Sequence, residues 1–163
     1  RVSCRECRDG EFITLFIAKI DTRANTLTFC NCGHEPGLLC KGKELIELGQ
    51  GGMVLGVMPN AEYSIQTVDF SEDDILLLYT DGLIDAMNFQ GESWGKDRLA
   101  EAIRHSCTHS AESFVKSILT WRRRFVGLAS QTDDTSILAI RRNDKANPRP
   151  DDCKCARIES TPE

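Results

Sequence analysis

The sequence predicts an α+β protein in which antiparallel strands and a pair of helices pack in layers. Strand-like runs follow one another through turn-length connections as far as Tyr79. Apolar residues then recur with helical spacing between Lys96 and Phe125, and one more strand-like run follows them. Consecutive strands joined by short turns favour antiparallel pairing, because a parallel pair needs a long crossover between its strands.

The composition is that of a globular domain and excludes several functions. The chain has 163 residues, enough for one domain with its own core. Its 20 Lys and Arg residues against 25 Asp and Glu residues give a formal net charge of −5. We therefore expect neither nucleic acid nor an anionic membrane as a partner. The longest apolar run, 12–20, is too short for the about 20 residues of a membrane helix. No secretory signal opens the chain, so a cytoplasmic location is expected.

The first half of the chain predicts strands. The run 12–20 is apolar on both faces, which is typical of a central strand covered on both sides. A turn at 21–25 leads into the alternating run 26–30, so the two runs predict a hairpin. Further strands are predicted at 37–40, 44–48 and 63–70, with a glycine-rich loop at 49–52. The run 75–79 is the most apolar strand of the sequence.

The second half predicts two helices and a last strand. The first helix begins near Lys96, and Ser110 or Ser113 is the N-cap of the second. One apolar stripe recurs at helical spacing along the second helix, at Phe114, Ile118, Trp121 and Phe125. The last strand covers 136–140. The remaining residues, 143–163, hold three of the prolines and few apolar residues, which predicts a disordered tail.

The cysteines allow two interpretations. Three short pairs suggest a zinc site, since thiolates on short loops suit tetrahedral Zn²⁺. These pairs are Cys4 and Cys7, Cys30 and Cys32, and Cys153 and Cys155. Only one pair has the C-x-x-C spacing, and the second lies in a strand-like run. Without an export signal we expect reduced thiols, and we favour Cys30, Cys40 and Cys107 as small buried hydrophobic residues.

Two acidic segments follow and precede predicted strands. Thr80-Asp81-Gly82 ends the most apolar strand, and Thr132-Asp133-Asp134 precedes the last one. If these strands are antiparallel neighbours, Asp81 and Asp133 converge, and Gly82 lets backbone or a metal ion approach closely. Clustered carboxylates suit a hard cation such as Mg²⁺ or Mn²⁺. The other interpretation, in which these aspartates cap turns, stays open at this point.

Four motifs, in this order along the chain, resemble those of metal-dependent Ser/Thr protein phosphatases (PPM-type, protein phosphatase 2C-like), in their bacterial SpoIIE/RsbU-like branch. The motifs are Asn31-Cys-Gly-His-Glu-Pro36, Met53-Val-Leu-Gly56, Leu76-Leu-Leu-Tyr-Thr-Asp-Gly-Leu-Ile-Asp-Ala-Met-Asn88 and Gln131-Thr-Asp-Asp-Thr-Ser136. The resemblance runs from about Glu11 to Arg142, so we expect 1–142 to form the C-terminal portion of such a domain. Relatives carry an upstream Gly-Asp metal loop that this sequence does not have, so the N-terminal part of the domain is expected to be lacking.

The resemblance implies a fold and a metal centre. The fold is an αββα sandwich of two antiparallel sheets flanked by helices. The complete domain is expected to bind two Mn²⁺ or Mg²⁺ ions, held in part by Asp81 and Asp133. Asp134 and the backbone of Gly82 are further candidate ligands, and Asp85 is expected to support the ligands without touching metal. The resemblance also marks His34, which would either protonate the leaving group or brace its loop, and we favour bracing.

The resemblance also implies a function. We expect hydrolysis of phosphoserine or phosphothreonine on a signalling protein, such as an anti-sigma-factor antagonist, by a metal-bound water. The alternative is a truncated, non-catalytic module of the same fold that binds a phosphoprotein. The expected partners are the phosphorylated substrate, an upstream sensor or regulatory domain, and a second copy of the chain through an exposed sheet edge. The run Arg122–Arg124 is interpreted as a solvated helix end that complements the helix dipole, in preference to a phosphoprotein contact.

Overall fold

The computed structural model describes residues 11–106, 110–130 and 133–143. These residues form two sheets and two helices. The strands are β1 (Leu15–Asp21), β2 (Thr26–Cys32), β3 (Gly37–Lys41), β4 (Glu44–Leu48), β5 (Gly51–Gly52), β6 (Gln66–Asp69), β7 (Ile75–Tyr79) and β8 (Ile137–Arg141). The helices are α1 (Gly95–Ser106) and α2 (Ala111–Val126), and a short 3-10 turn, Asp81–Leu83, follows β7. The order of elements confirms the α+β class.

The first sheet is built around β2. Strands β1 and β2 form the predicted antiparallel hairpin, with Leu15 opposite Cys32 and Asp21 opposite Thr26. On the other side of β2, β6 pairs antiparallel with its first half, and the two-residue β5 pairs parallel with its end. The predicted glycine-rich loop at 49–52 therefore contributes a short strand.

The second sheet has the strand order β4-β3-β7-β8, and every neighbouring pair is antiparallel. It faces the first sheet across one core cluster. The buried members of this cluster are Leu27, Phe29, Leu39, Leu48, Phe70 and Leu76. Burying a side chain of this size contributes about 1.5–3 kcal/mol. This face-to-face packing confirms the two-sheet sandwich.

Both described helices pack on the other face of the second sheet. The central strand β7 directs Leu77 and Tyr79 to the helices, where they meet Leu99, Phe114 and Ile118 in a second core cluster. The N-cap of α2 is Ser110, whose side chain accepts a hydrogen bond from the Ser113 backbone N–H at 3.1 Å. Within the described residues, neither helix has the length and hydropathy needed to cross a bilayer.

Two predictions for the first sheet are corrected. The run 12–20 is not a central strand, because β1 lies at the sheet edge and its outward-facing Leu15 and Ile17 are 40% and 57% exposed. An apolar pattern on both faces indicates that both can be buried, but no described helix covers the outer one. The strand predicted over 63–70 is limited to Gln66–Asp69, the part that pairs with β2. The predicted tail lies outside the described residues, apart from Asn143.

Candidate metal centre

The end of β7 and the start of β8 lie side by side, as the sequence argument requires. Tyr79 is opposite Ile137 in the antiparallel register. Beyond this pair, the Thr80 backbone N–H donates to the Ser136 carbonyl at 3.1 Å, and the Ser136 N–H donates to Thr80 Oγ1 at 2.9 Å. These bonds continue the pairing past the strand ends. They hold the segment 133–136 against the residues that carry Asp81.

Gly82 packs directly against the backbone of the second acidic segment. A Cβ atom on Gly82 would lie 2.2 Å from the Asp134 carbonyl oxygen and 3.5 Å from the Asp133 carbonyl carbon. Cβ atoms in proteins essentially never lie closer than 3.0 Å to a non-bonded heavy atom of another residue. Any larger residue at this position would therefore force the segments apart. Glycine is therefore required here for close packing of one backbone against the other.

The predicted carboxylates are exposed at this point of contact. Asp81 Oδ1 accepts a hydrogen bond from the Gly82 N–H at 2.9 Å, and Asp133 Oδ1 accepts one from the Asp134 N–H at 2.7 Å. Asp81 Oδ2 has no hydrogen bond in the described part of the chain. The Asp134 carbonyl accepts from Thr80 Oγ1 at 3.4 Å. Asp85 lies one turn beyond Asp81, and its N–H donates to the Asp81 carbonyl at 2.9 Å.

These residues suit a hard cation in kind but do not complete its coordination. Carboxylate oxygens are the ligands that Mg²⁺ and Mn²⁺ prefer. However, the described residues contain no group of three or more His, Cys, Asp or Glu side chains that could hold a metal ion. The Gly82 carbonyl is already engaged, because it accepts hydrogen bonds from Arg122 Nη2 at 3.2 Å and Thr135 Oγ1 at 3.0 Å. A carbonyl oxygen has two lone pairs, so we leave Gly82 out of the proposed ligand set.

Asn31 braces the loop that carries His34. Its buried side chain donates to the His34 carbonyl at 2.9 Å and accepts from the His34 N–H at 2.8 Å. The loop turns at Gly33, whose φ of +73° is in the region that favours glycine. The half-buried His34 ring has its Nδ1 3.2 Å from Thr14 Oγ1. The sequence pointed to this loop but not to Asn31 as the residue that holds it closed.

The His34 loop lies at the same end of the second sheet as the aspartates. It leads directly into β3, which pairs antiparallel with β7. Glu35 forms an ion pair with Lys96 at the start of α1, with the two charged atoms 2.9 Å apart. Burial raises the pKa of Tyr79 well above its ordinary value, and the nearby charge of Glu35 adds to this shift. No local sequence pattern connects Glu35 with Lys96, so sequence reasoning missed this contact.

The interpretation of Arg122 as part of a solvated helix end is wrong. Its side chain is half-buried and reaches the Gly82 carbonyl, as described above, and burial lowers the pKa of its guanidinium group. Arg123 and Arg124 are exposed, as predicted. Arg122 therefore contacts the candidate site through Gly82, a contact that the run of three arginines did not indicate.

The described cysteines are buried. Cys30 and Cys40 are 7% and 2% exposed, which confirms them as buried small hydrophobic residues. Cys30 Sγ and Cys32 Sγ lie 3.8 Å apart. Burial raises the pKa of Cys32 to about 11, and its hydrogen bond with Cys30 adds to the shift. The other members of the zinc hypothesis, Cys4, Cys7, Cys153 and Cys155, lie outside the described residues, and so does Cys107.

Comparison with known proteins gives concordant results. Residues 1–143 match the family described as Stage II sporulation protein E (SpoIIE). The chain is 30% identical over 136 residues to Protein IcfG from Synechocystis sp., covering 81% of this chain and 21% of that protein. It is 26% identical over 133 residues to Phosphoserine phosphatase RsbU from Bacillus subtilis, covering 80% and 39%. The chain thus spans well under half the length of these relatives.

The fold comparison agrees with the sequence comparison. The SiaA-PP2C domain of Pseudomonas aeruginosa superposes with a TM-score of 0.74 at 21% identity, over 85% of this chain and 55% of that one. This likeness bears out the two-sheet architecture, and the coverage agrees with a chain that makes up part of the domain. From the family match and the shared fold, we conclude that the chain belongs to the SpoIIE family and shares the fold of the SiaA-PP2C domain.

Proposed function

We propose that this chain is the C-terminal part of a protein phosphatase that hydrolyses phosphoserine or phosphothreonine with Mn²⁺ or Mg²⁺. The observation that carries the proposal is the contact of the two acidic segments at Gly82, where Asp134 O would lie 2.2 Å from a Cβ atom. Segments packed this tightly fix the positions from which Asp81 and Asp133 extend. Membership of the SpoIIE family supports phosphatase chemistry at this position.

Asp81 and Asp133 are the proposed cation ligands, and Asp134 is a further candidate. Two bound cations would lower the pKa of a water molecule and neutralise phosphoryl oxygens. Two proteins of similar fold support this choice of cation: the SpoIIE phosphatase domain from Bacillus subtilis, presoaked with Mn, and RsbX, in complex with magnesium. The remaining ligands would come from parts of the protein beyond the described residues. Asp85 would support the site through its backbone bond to Asp81.

His34 has a structural part in this proposal. The Asn31 side chain forms hydrogen bonds with both the N–H and the carbonyl of His34, and His34 Nδ1 lies within hydrogen-bond distance of Thr14 Oγ1. These contacts favour a role in keeping its loop closed beside the end of β7. We do not assign His34 the protonation of the leaving group.

The proposed substrate is a phosphorylated signalling protein in the cytoplasm, such as an anti-sigma-factor antagonist. The name of the relative RsbU, a phosphoserine phosphatase, supports phosphoserine as the chemical target. We also propose that a sensor or regulatory domain accompanies the phosphatase domain in the longer protein. A second copy of the chain is a proposed partner through the β1 edge, where Leu15 and Ile17 are exposed.

The test is Mn²⁺-dependent hydrolysis of a phosphoserine protein by the protein that contains this chain. Asp81→Asn and Asp133→Asn should each lower turnover more than about a hundredfold, because each removes a cation ligand. Asp69→Asn, an exposed change on β6, is the matched control and should retain wild-type turnover. Wild-type turnover in Asp81→Asn would refute the proposal.

A second candidate is a non-catalytic module that binds a phosphoprotein without cleaving it. It is favoured by one observation, the absence of a group of three or more ligating side chains among the described residues. Circular dichroism and a binding assay with a phosphoserine peptide separate the two functions. A folded wild-type protein that binds the peptide but shows no turnover with Mn²⁺ supports the module. An intact Gly-Asp loop upstream of this chain, together with turnover, excludes it.

A further inference from the structure

Arg122 differs from the two arginines that follow it. Arg123 and Arg124 are exposed at the end of α2, whereas Arg122 is half-buried and donates from Nη2 to the Gly82 carbonyl at 3.2 Å. Taking a guanidinium group out of water costs free energy, which must be offset by a specific contact. The contact it makes joins α2 to the 3-10 turn that begins with Asp81.

A second donor holds the same carbonyl from another direction. Thr135 Oγ1 donates to Gly82 O at 3.0 Å, so this one oxygen connects α2, the turn and the segment before β8. Asp81 is exposed, whereas Gly82 is buried and Leu83 is fully buried. The turn therefore has little freedom to rotate while both donors remain.

We propose that Arg122 is a positioning residue that fixes the Asp81–Leu83 turn and thereby the direction in which the Asp81 carboxylate points. Its consequence for cation binding rests on the proposed function, whereas its effect on the turn does not. Arg122 Nε is buried without a hydrogen-bond partner in the described part of the chain. The Nε–Nη2 edge of the guanidinium group thus faces the protein interior. This edge is not available to bind a phosphate group from solvent.

Amide hydrogen exchange tests the positioning effect directly in the protein that contains this chain. The Leu83, Ile84 and Asp85 amides donate to the Thr80 and Asp81 carbonyls, at 2.9–3.0 Å, so they report opening of the turn. Losing a hydrogen bond to a charged group should speed their exchange about tenfold or more in Arg122→Ala. Arg123→Ala is the matched control and should leave it unchanged.

A milder variant covers the case in which Arg122→Ala does not fold. Thr135→Val keeps the side-chain shape but removes the second donor to Gly82 O. It should speed exchange of the same three amides while distant amides keep their rates. Unchanged exchange in both variants, or the same increase in Arg123→Ala, would overturn the inference.

Binding of Mn²⁺ alone, followed by electron paramagnetic resonance, tests the consequence for the site. Arg122→Ala should weaken Mn²⁺ binding about tenfold, and free guanidinium ion should restore part of it, which a general loss of stability would not allow. Arg122→Lys keeps the positive charge but not the planar guanidinium group. Its Mn²⁺ affinity should lie between those of the wild type and Arg122→Ala. If the wild-type protein binds no Mn²⁺ but exchange at the turn still depends on Arg122, the proposed function fails and the positioning role stands. Weakened binding that guanidinium does not restore, with unchanged exchange, contradicts the positioning role.

Discussion

Replacing Gly82 with alanine should separate the two acidic segments without removing any polar group. The added methyl group would lie 2.2 Å from the Asp134 carbonyl oxygen and 3.0 Å from its carbonyl carbon. To reach the 3.0 Å lower limit of Cβ contacts, the segments must move apart by 0.8 Å, which is 3.0 minus 2.2. Both atoms belong to the backbone, so no side chain can rotate to relieve the contact.

The cost of this movement follows from the bonds around Gly82. Overpacking of a tight site costs about 1–3 kcal/mol. The movement would also stretch the bond from Thr135 Oγ1 to Gly82 O, whose loss adds about 1 kcal/mol. Gly82 has no positive φ, so the backbone conformation itself adds no strain. We therefore expect Gly82→Ala to lower the free energy of unfolding by about 2–4 kcal/mol.

Urea unfolding and Mn²⁺ titration measure the two consequences. Gly82→Ala should shift the urea midpoint downward and weaken Mn²⁺ binding in the variant that remains folded. Gly49→Ala is the matched control, because its Cβ atom would meet only Pro36 at an ordinary 3.7 Å. Stability and Mn²⁺ affinity equal to wild type in Gly82→Ala would refute the reasoning that the segments are packed at this glycine.

Three further predictions concern the surrounding structure. Asn31→Ala removes both side-chain hydrogen bonds to the His34 backbone and should lower the free energy of unfolding, measured in urea, by about 1–3 kcal/mol. A urea midpoint equal to that of the wild type would show that the loop does not depend on Asn31. Burial raises the pKa of Cys32 from 9.0 to about 11, so this thiol leaves the stability of the wild type unchanged below pH 9 and lowers it as the pH rises toward the folded-state pKa. Under reducing conditions, Cys32→Ala should therefore lose less stability than wild type between pH 8 and 11, and parallel losses would contradict this cause. Ser110→Ala removes the N-cap of α2 and should lower the stability measured by thermal unfolding by about 1 kcal/mol. Ser130 is exposed, so Ser130→Ala is the control and should leave the stability unchanged.

The strands and helices were predictable where the sequence carries a clear local period. The alternation in β2, the apolar run of β7 and the stripe from Phe114 to Phe125 each predicted an observed element. The N-cap at Ser110 was one of two predicted positions because a serine before an apolar stripe is a local signal. The position of β1 at the sheet edge was not predictable, since neighbours in a sheet are set by long-range pairing.

The candidate site was partly predictable for the same reason. Antiparallel pairing of β7 with β8 was enough to expect Thr80 and Ser136 to meet. The contact of Arg122 with Gly82 joins residues that are 40 positions apart, and nothing in a run of three arginines indicates which one turns inward. The bracing of His34 by Asn31 depends on loop closure, which composition does not specify.

Anomalous X-ray scattering from crystals soaked with Mn²⁺ tests the central claim most directly. We expect a peak beside the carboxylates of Asp81 and Asp133, at about the 2.0–2.3 Å that oxygen ligands take around small divalent cations. The peak should disappear in Asp81→Asn crystals and persist in Asp69→Asn crystals. A well-occupied Mn²⁺ peak elsewhere, with none between Asp81 and Asp133, would contradict the assignment of this end of the second sheet as the metal centre.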